Sequence, residues 1–224
     1  MKKYLLYAIG EILLVVIGIL IAVSINNWNE GRKLKVTQLD LAKKVKEQMV
    51  LDTINFGKVI RYSERIKRRF DLALRETAPD EPLDCLGCLS LVSGNMNIAN
   101  MDPKVIHLFR EAQLSEDSLS KALRKIQVAY EDSSSILNLL EESMVNNLKT
   151  NMEYLQKFKW FAPVIANGQC GTECLDYVQN SFDLRNRLAY TELLTITAYG
   201  SQVIEFYDEI GAFIEELEAA LDTN

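Results

Sequence analysis

The chain has 224 residues, of which 31 are acidic and 25 basic, giving a formal net charge of −6 at pH 7. This acidic balance argues against nucleic acid as a general partner, and the length suits one soluble domain beside any membrane segment. A single histidine excludes sites that need several histidines, and the sequence has neither a glycine-rich phosphate loop nor an H-E-x-x-H motif.

The chain begins with a strongly apolar segment. Lys2 and Lys3 precede an apolar run over residues 4–25, and Trp28 follows at its polar end. About 20 apolar residues match the ~30 Å hydrocarbon core of a bilayer, so we expect residues 1–29 to form a transmembrane anchor with Trp28 at the membrane interface. The run exceeds the apolar part of a secretory signal peptide, which favours a retained anchor over a cleaved signal. The lipid bilayer is therefore the first expected partner.

Glu11 interrupts this apolar run. An ionisable side chain at that depth is costly and usually faces protein or water. Glu11, Gly18 and Ala22 share one helix face, and the small residues let backbones approach closely. We interpret the face as an intramembrane contact within a homo-oligomer or a membrane complex. Two alternatives are that Glu11 reaches back to the headgroups beside Lys2 and Lys3, and that a ring of Glu11 side chains forms an ion path.

The anchor also carries a resemblance to a known family. The residues concerned read YLLYAIGEILLVVIGILIA at positions 4–22 and INNWNE at positions 25–30, with a looser match around Leu184-Arg185-Asn186. They resemble the DUF6090-type family of single-pass membrane proteins, which are of unknown function and common in Bacteroidota. The resemblance implies a bacterial inner-membrane protein with a periplasmic C-terminal domain, and it brings no reaction. Counted alone, the basic residues that follow the anchor favour the opposite orientation, with the domain in the cytoplasm.

Apolar periodicity after the anchor predicts three long helices and one short helix, with poor strand signals throughout. The first continues from the anchor to about residue 75, the second covers roughly 116–159 and the third roughly 175–221, while Asp102-Pro103 begins the short one. Core positions recur every three or four residues in the first two stripes, and those of the first stripe alternate four and three as in a coiled coil, with two polar interruptions. Their predicted members are Val45, Met49, Asp52, Phe56, Val59, Ser63, Ile66, Phe70 and Ala73 in the first helix, and Leu119, Leu123, Ile126, Tyr130, Ser133, Leu137, Leu140, Met144, Leu148, Met152, Leu155 and Phe158 in the second. The predicted stripe of the third helix is Leu175, Val178, Phe182, Ala189, Leu193, Ile196, Val203, Tyr207, Ile210, Ile214, Leu217 and Leu221. We therefore predict an all-α fold in which the anchor continues into an elongated antiparallel helical bundle over residues 30–224.

Helix lengths predict where the loops of this bundle lie. In antiparallel order the second helix returns toward the membrane, which would place Trp160 and Phe161 at the membrane interface and the 77–101 loop at the far end. A buried hairpin turn is the alternative for Trp160 and Phe161. The third helix would rise beside the first, bringing its acidic end at residues 205–222 level with the arginine-rich stretch at 61–75.

The four cysteines form two local pairs, Cys85 with Cys88 and Cys170 with Cys174. Disulfides within each pair fit an oxidising compartment such as the periplasm. Bridges between the pairs, a four-thiolate zinc site and a redox C-x-x-C motif are the alternatives. Straight antiparallel helices would separate the pairs by the length of the bundle, so we favour the local disulfides and expect no metal and no cofactor.

These features predict a protein without catalytic residues. We expect a membrane-anchored helical scaffold, accessory subunit or sensor-like interaction module of an envelope complex. A homo-oligomeric pore built on Glu11 is one alternative function. A thiol-redox or zinc-binding domain built on Cys85 and Cys88 is the other.

Overall fold

The computed structural model describes residues 2–74, 85–94, 97–99, 101, 103–110 and 112–222, with side chains from Gly10 onward except that of Cys85. The predicted all-α fold is confirmed, because this part of the chain forms α-helices and one π-helix and contains no strand. In chain order the elements are α1 (Lys2–Leu74), α2 (Cys85–Ser93), α3 (Lys104–Phe109), α4 (Ser118–Leu155), α5 (Phe161–Asn167), α6 (Thr172–Asn180), α7 (Phe182–Glu192), the π-helix (Leu193–Gly200) and α8 (Ser201–Asp222).

The N-terminal apolar segment and the first helix of the bundle are one continuous helix, α1, as predicted. Within the described residues, α1 is the helix that is long and apolar enough to cross a membrane. Its side chains are exposed over residues 10–28, and one face becomes buried from Gln38 onward. The predicted stripe of α1 is buried from Val45 to Phe70, while Ser63 within it and Ala73 at its end are half-buried. The coiled-coil spacing therefore correctly predicted which face of α1 is buried.

The predicted direction of the second long helix is wrong, because α4 runs parallel to α1. Near the start of α4, the side-chain amide of Gln38 donates to the backbone oxygen of Gln113 over 3.1 Å. Further along, the hydroxyl of Tyr130 donates to Asp52 Oδ2 over 2.9 Å. At the end of α4, Leu155 packs in one cluster with Phe70. Both helices therefore lead away from the apolar segment.

The chain between α1 and α4 makes this parallel arrangement feasible. Val105 and Phe109 of α3 are buried against α1 and α4 in the cluster that also contains Leu41 and Leu119. The segment thus returns the chain to the part of α1 next to the apolar segment before α4 begins. The short helix starts after Pro103 as expected, whereas Asp102, its predicted cap, lies outside the described residues.

The third long helix is interrupted at Ser181 and returns toward the apolar segment of α1. Ser181 has extended backbone angles, and its side-chain oxygen accepts a hydrogen bond from the Leu184 amide, so it caps α7. From Phe182 to Asp222 the α7 helix, the π-helix and α8 follow without a break. The acidic end of α8 reaches Lys46 of α1 and Lys125 of α4, with Nζ to Oε1 distances of 2.7 Å from Glu218 and 2.9 Å from Glu216. The predicted pairing of this acidic stretch with the arginines of residues 61–75 is therefore wrong.

Two hydrophobic clusters fill the bundle. The proximal core lies nearer the apolar segment and is built mainly from α1, α3, α4 and α8. Its largest fully buried side chains are Phe56, Tyr130, Tyr199, Phe206, Met49, Leu123, Ile126, Leu137 and Ile210. The distal core lies at the far end of α1 and comprises Ile66, Phe70, Leu89, Leu91, Val92, Leu155, Trp160, Val164, Cys174, Leu184 and Leu188.

Trp160 and Phe161 lie in this distal region, so their predicted position at the membrane interface is wrong. Trp160 is 8% exposed in the distal core, and Phe161 packs partly buried against it. The ring of Trp160 stacks on Phe158 with a centroid distance of 5.0 Å. The alternative of a buried turn is the arrangement found, because the parallel course of α4 carries its C-terminal end away from the apolar segment.

Candidate functional site

A polar groove lies between α4 and α7 in the distal half of the bundle. Its volume is about 510 Å³. The side chains that line it are Ser143, Asn146, Asn147, Thr150, Asn151, Asp183, Asn186, Arg187 and Tyr190. Neutral amides and hydroxyls form most of this lining, with one carboxylate and one guanidinium among them. We refer to it as the polar groove.

Asn151 forms the floor of the groove and ties three helices together. Asn151 is buried on α4, between the buried residues Met144 and Leu155. The apolar stripe in the sequence predicted that Met152, one residue later, would be the buried residue. The amide of Asn151 donates to the backbone oxygen of Val92 on α2 over 3.1 Å, and its side-chain oxygen accepts from Arg187 over 3.0 Å. A buried amide is stabilising only when its donors and acceptors are matched, and both sides of Asn151 have partners.

Arg187 is the centre of a charged and aromatic cluster beside the groove. Its Nε lies 2.8 Å from Asp183 Oδ2, and its guanidinium carbon lies 3.8 Å from the ring centroid of Tyr154. The hydroxyl of Tyr177 donates to the same carboxylate oxygen over 2.9 Å. Planar, delocalised guanidinium groups suit simultaneous ion pairing and stacking, which a lysine in this place would not reproduce.

The electrostatics of this cluster follow from these contacts. Burial acts to raise the pKa of the Asp183 carboxyl, but the hydrogen bonds from Arg187 and Tyr177 outweigh it and leave that pKa below its ordinary value. Burial acts to lower the pKa of Arg187, and the Asp183 carboxylate outweighs it in the opposite direction. The pKa of Tyr177 is raised by burial and by its hydrogen bond to Asp183. The ion pair is therefore held charged at neutral pH.

The groove is suited to hydrogen bonding with a polar partner. The charges of Asp183 and Arg187 compensate each other, and Asn147 is committed to Thr191 through a 2.9 Å hydrogen bond. Asn146 and Asn186 are exposed at the groove, and Tyr190 is 52% exposed beside them. Amides offer both donors and acceptors, and a tyrosine ring adds a flat apolar surface.

The π-helix adjoins the groove and positions a second buried polar contact. π-helical turns are rare and frequently occur at functional sites. Tyr199 in this turn is 1% exposed, and its hydroxyl accepts from the Ala99 amide over 2.6 Å and donates to Glu141 Oε1 over 2.8 Å. Burial raises the pKa of Glu141 above its ordinary value, although the hydrogen bond from Tyr199 opposes this. At Gly200 an added Cβ would lie 3.4 Å from the Thr195 backbone oxygen, so the turn is tight there.

A buried carboxylate lies in the proximal core. Asp52 is 1% exposed and accepts from Tyr130 over 2.9 Å and from the side-chain amide of Gln48 over 3.0 Å. Asp52 is a polar member of the otherwise apolar stripe of α1, and it lies in the core as the sequence predicted. Because both oxygens accept hydrogen bonds, Asp52 links α1 to α4 at a defined height along the bundle.

The predicted membrane residues lie along the exposed part of α1. Glu11, Gly18 and Ala22 are exposed, and Trp28 is 68% exposed with the guanidinium of Arg32 5.7 Å from its ring centroid. Trp28 follows directly on the apolar segment, as an interfacial tryptophan does. The intramembrane contact face and the interfacial position of Trp28 stay predictions.

Both cysteine segments lie at the distal end, so their predicted separation by the length of the bundle is wrong. Cys170 and Cys174 are joined by a disulfide with a Cα–Cα distance of 5.2 Å, as the local pairing predicts. Cys88 is buried on α2, which contacts α6. The side chain of Cys85 lies outside the described part, so its pairing with Cys88 stays a prediction. Among the described residues no three His, Cys, Asp or Glu side chains form a group that could hold a metal ion.

Sequence reasoning missed the polar groove. Asparagines are common on helix surfaces, and the resemblance around Leu184-Arg185-Asn186 drew attention to α7 without giving any of its residues a role. The useful signal was the run of polar side chains near the end of α4, where Asn147 and Asn151 adjoin the apolar stripe. The break at Ser181 was the second signal, because it moves Phe182 to an 82% exposed position and turns Arg187 toward α4.

Comparison with known proteins identifies a family match in the first third of the chain. Residues 11–71 match a family of unknown function, DUF6090, which confirms the resemblance to this family over that segment. The matched residues all lie in α1, so the polar groove lies outside them. No curated protein and no solved structure matches the chain.

Proposed function

We propose that the protein is a membrane-anchored helical interaction module, serving as a scaffold, accessory subunit or sensor-like component of an envelope complex. The apolar part of α1 would cross the bacterial inner membrane once, and the bundle would lie in the periplasm with the polar groove as its binding surface. The observation that carries this proposal is the continuity of α1, which extends from the apolar segment through both hydrophobic cores without a break.

A continuous helix gives the module a fixed reach. From Trp28 to Ile66, in the distal core, α1 rises by roughly 55 Å at 1.5 Å per residue. From Gln38 onward the buried face of α1 packs against α8 and other helices of the bundle. A groove held on a packed bundle at this height suits the binding of a partner away from the bilayer surface.

The disulfide supports the periplasmic placement of the bundle. Cys170 and Cys174 are bridged, and disulfides persist in oxidising compartments such as the bacterial periplasm. The bridge closes the turn between α5 and α6 within the distal core. An oxidised structural pair in this position agrees with the orientation that the family resemblance implies.

Binding rather than catalysis is the role that the groove supports. The guanidinium of Arg187 is satisfied by Asp183, Asn151 and the Tyr154 ring, and the Asp183 carboxylate by Arg187 and Tyr177. Groups held in this way position the groove walls, while Asn146, Asn186 and Tyr190 remain exposed for a partner.

The orientation can be tested with a membrane-impermeant maleimide. The variant Leu139→Cys places a thiol on an exposed position of α4, since Leu139 is 65% exposed. Labelling in intact spheroplasts above that of the unsubstituted chain is the expected result. Labelling that requires inside-out vesicles would place the bundle in the cytoplasm and contradict the proposal.

The groove can be tested by photo-crosslinking in intact cells. A photoreactive amino acid at Asn146 or Tyr190 should form a covalent adduct with a separate protein. Val128 is a matched control, because it is 55% exposed on α4 and lies 18 residues before Asn146, on the same line of the helix five turns away. Equal yields of adduct at Val128 and Asn146, or no adduct at either Asn146 or Tyr190, would show that the groove is not the binding surface.

A further inference from the structure

We propose that two copies of this chain associate side by side through the outer face of α1, from Glu11 in the apolar segment to Ile54 in the bundle. This inference rests on the proposed membrane anchoring, because both copies must enter the bilayer in the same direction. It specifies the partner as a second copy of the chain and the contact as a parallel one.

One line of residues connects the apolar segment to the bundle along this face. Eighteen residues make five turns of an α-helix, so Gly18, Val36 and Ile54 lie directly above one another on α1. The same spacing places Glu11 in line with Glu47, and Ile25 in line with Lys43. The intramembrane face and the outer face of the bundle are therefore one surface of one helix.

Apolar side chains on this surface remain exposed after the bundle has formed. Val36 is 63% exposed, Ile54 52%, Leu51 52% and Val50 42%. They lie opposite the buried stripe of α1, in which Val45 and its neighbours face α4 and α8. A second copy could cover them without displacing any helix of the bundle. Val50, Leu51 and Ile54 form an exposed apolar group on the outside of α1, and Val36 lies on the same face about 20 Å nearer the apolar segment.

The charges on the face fit a parallel second copy. Lys43 and Glu47 are both exposed and lie about 20° to either side of the line through Val36 and Ile54. A two-fold axis parallel to the helices sets the flank with Lys43 in one copy against the flank with Glu47 in the other. Two equivalent opposite-charge pairs result, one on each side of the apolar line, as flanking charges do in parallel coiled coils.

The distal limit of the contact is set by like charges. Beyond Ile54 the same face carries Lys58, Arg61 and Arg65, all exposed. In a parallel pair the two-fold axis would set Arg61 of one copy against Arg65 of the other, which is unfavourable because the charges are alike. The two copies should therefore meet up to Ile54 and diverge beyond it, leaving both polar grooves accessible.

Cysteine crosslinking of the full chain in liposomes tests the contact. Packed helices lie about 8–10 Å apart, so Val36→Cys and Ile54→Cys should be joined to the second copy by a short bismaleimide. Asn55→Cys is the matched control, because Asn55 is exposed one residue away and points about 100° off the face. We expect about tenfold more covalent dimer at residues 36 and 54 than at 55 from this difference in direction. The unsubstituted chain gives the baseline for the native cysteines.

Flotation of the same liposomes separates the two proposals. Protein that fails to float with the vesicles would contradict the membrane anchoring itself. Protein that floats but gives no dimer at residues 36 and 54, or equal dimer at 54 and 55, would overturn the α1 contact and leave the anchoring intact.

A charge exchange tests the parallel arrangement independently of packing. In the Ile54→Cys background, Glu47→Lys places basic residues on both flanks and should reduce the yield of crosslinked dimer severalfold. Lys43→Glu places acidic residues on both flanks and should reduce the yield in the same way. Combining Lys43→Glu with Glu47→Lys restores the opposite-charge pairs and should recover the dimer. If the double variant crosslinks no better than the single ones, the two-fold parallel contact through these residues is wrong.

Discussion

The proximal core is made mainly by long helices whose apolar residues repeat along one face, together with the short α3, whereas the distal core combines the ends of α1, α4 and α7 with three short helices. In the proximal core, Phe206 of α8 packs edge-on against Phe56 of α1 and Tyr130 of α4, at centroid distances of 5.6 and 5.0 Å. The distal core has a disulfide at Cys174 and a cluster of aromatic rings in stacked, tilted and edge-on arrangements. The first region depends on periodic helix packing, and the second on specific contacts between short segments.

This difference has consequences for stability. Long helices that share one continuous stripe bury their apolar groups together and should unfold as a unit. Short helices such as α5 and α6 are too short to be stable alone, and they depend on covalent and aromatic contacts. We therefore expect the distal region to open at a lower free energy than the proximal core.

The largest expected effect is in the proximal core. Phe206→Ala removes a fully buried aromatic ring and should lower the free energy of unfolding by about 3–5 kcal/mol. Chemical denaturation of the detergent-solubilised chain, followed by circular dichroism, measures this change. Ile204→Ala is the control on the same helix, since Ile204 is 45% exposed and should cost less than about 1 kcal/mol. Equal losses in the two variants would contradict the buried stripe of α8.

Removing the disulfide should affect the distal core alone. Replacing Cys170 and Cys174 together by serine opens a short loop, which costs about 2 kcal/mol in the loop-entropy account. Hydrogen exchange should accelerate in α6 and α7 and stay unchanged in α8. A uniform acceleration across all helices would show one cooperative unit and remove the distinction between the two cores.

Alkaline pH should weaken the proximal core through Tyr130. Burial, followed by the charge of Asp52 and the hydrogen bond to it, raises the pKa of Tyr130 far above its ordinary value of 10.0. Above pH 10 the folded state therefore keeps a proton on Tyr130 that the unfolded chain releases. The contribution of this proton to the free energy of unfolding is complete below pH 10 and declines as the pH rises beyond it. The slope should be about 1.4 kcal/mol per pH unit for one group. Tyr130→Phe should flatten the measured dependence of the free energy of unfolding on pH. An unchanged slope would show that Tyr130 is not its origin.

The smallest expected effect concerns the Asp183–Arg187 ion pair. The pKa of Asp183 is lowered in the folded state. Its contribution to the free energy of unfolding is therefore present at pH values above the ordinary pKa of 3.8 and is lost as the pH falls below that value. Asp183 is 39% exposed, so Asp183→Asn should cost less than about 1 kcal/mol at pH 7. Denaturation at pH 7 and pH 3 should show a smaller difference from the native chain at pH 3 than at pH 7. Asp176→Asn is the control, because Asp176 is exposed and bonds only its neighbour Asn180 among the described residues.

Sequence periodicity predicted the proximal core much better than the distal one. The stripes of α1 and α4 in this core were right from Val45 to Val59 and from Leu119 to Leu137, because long regular helices repeat the same local pattern. On α8 the pattern was right at Val203, Ile210 and Leu217, but Phe206 and Phe213 are buried where Tyr207 and Ile214 were expected.

The polar groove could not be derived from the same pattern. Its walls come from α4 and from α7, which the break at Ser181 separates from α6. Asn151 and Arg187 are 36 residues apart in the chain, and their 3.0 Å contact depends on how these helices pack. The resemblance to DUF6090 did not help here, because the matched residues end at 71.

The sequence alone determined the all-α class, the apolar segment and its continuity with the first helix of the bundle, because these depend on composition and on a 3.6-residue repeat along one chain segment. Only the tertiary structure decided that α4 runs parallel to α1, that Trp160 lies far from the apolar segment and that both cysteine segments lie at one end. Those features depend on the path of the short helices between residues 85 and 117, whose apolar patterns are too brief to specify a direction. Helix direction is set by contacts between distant residues, and these form only when the whole bundle packs.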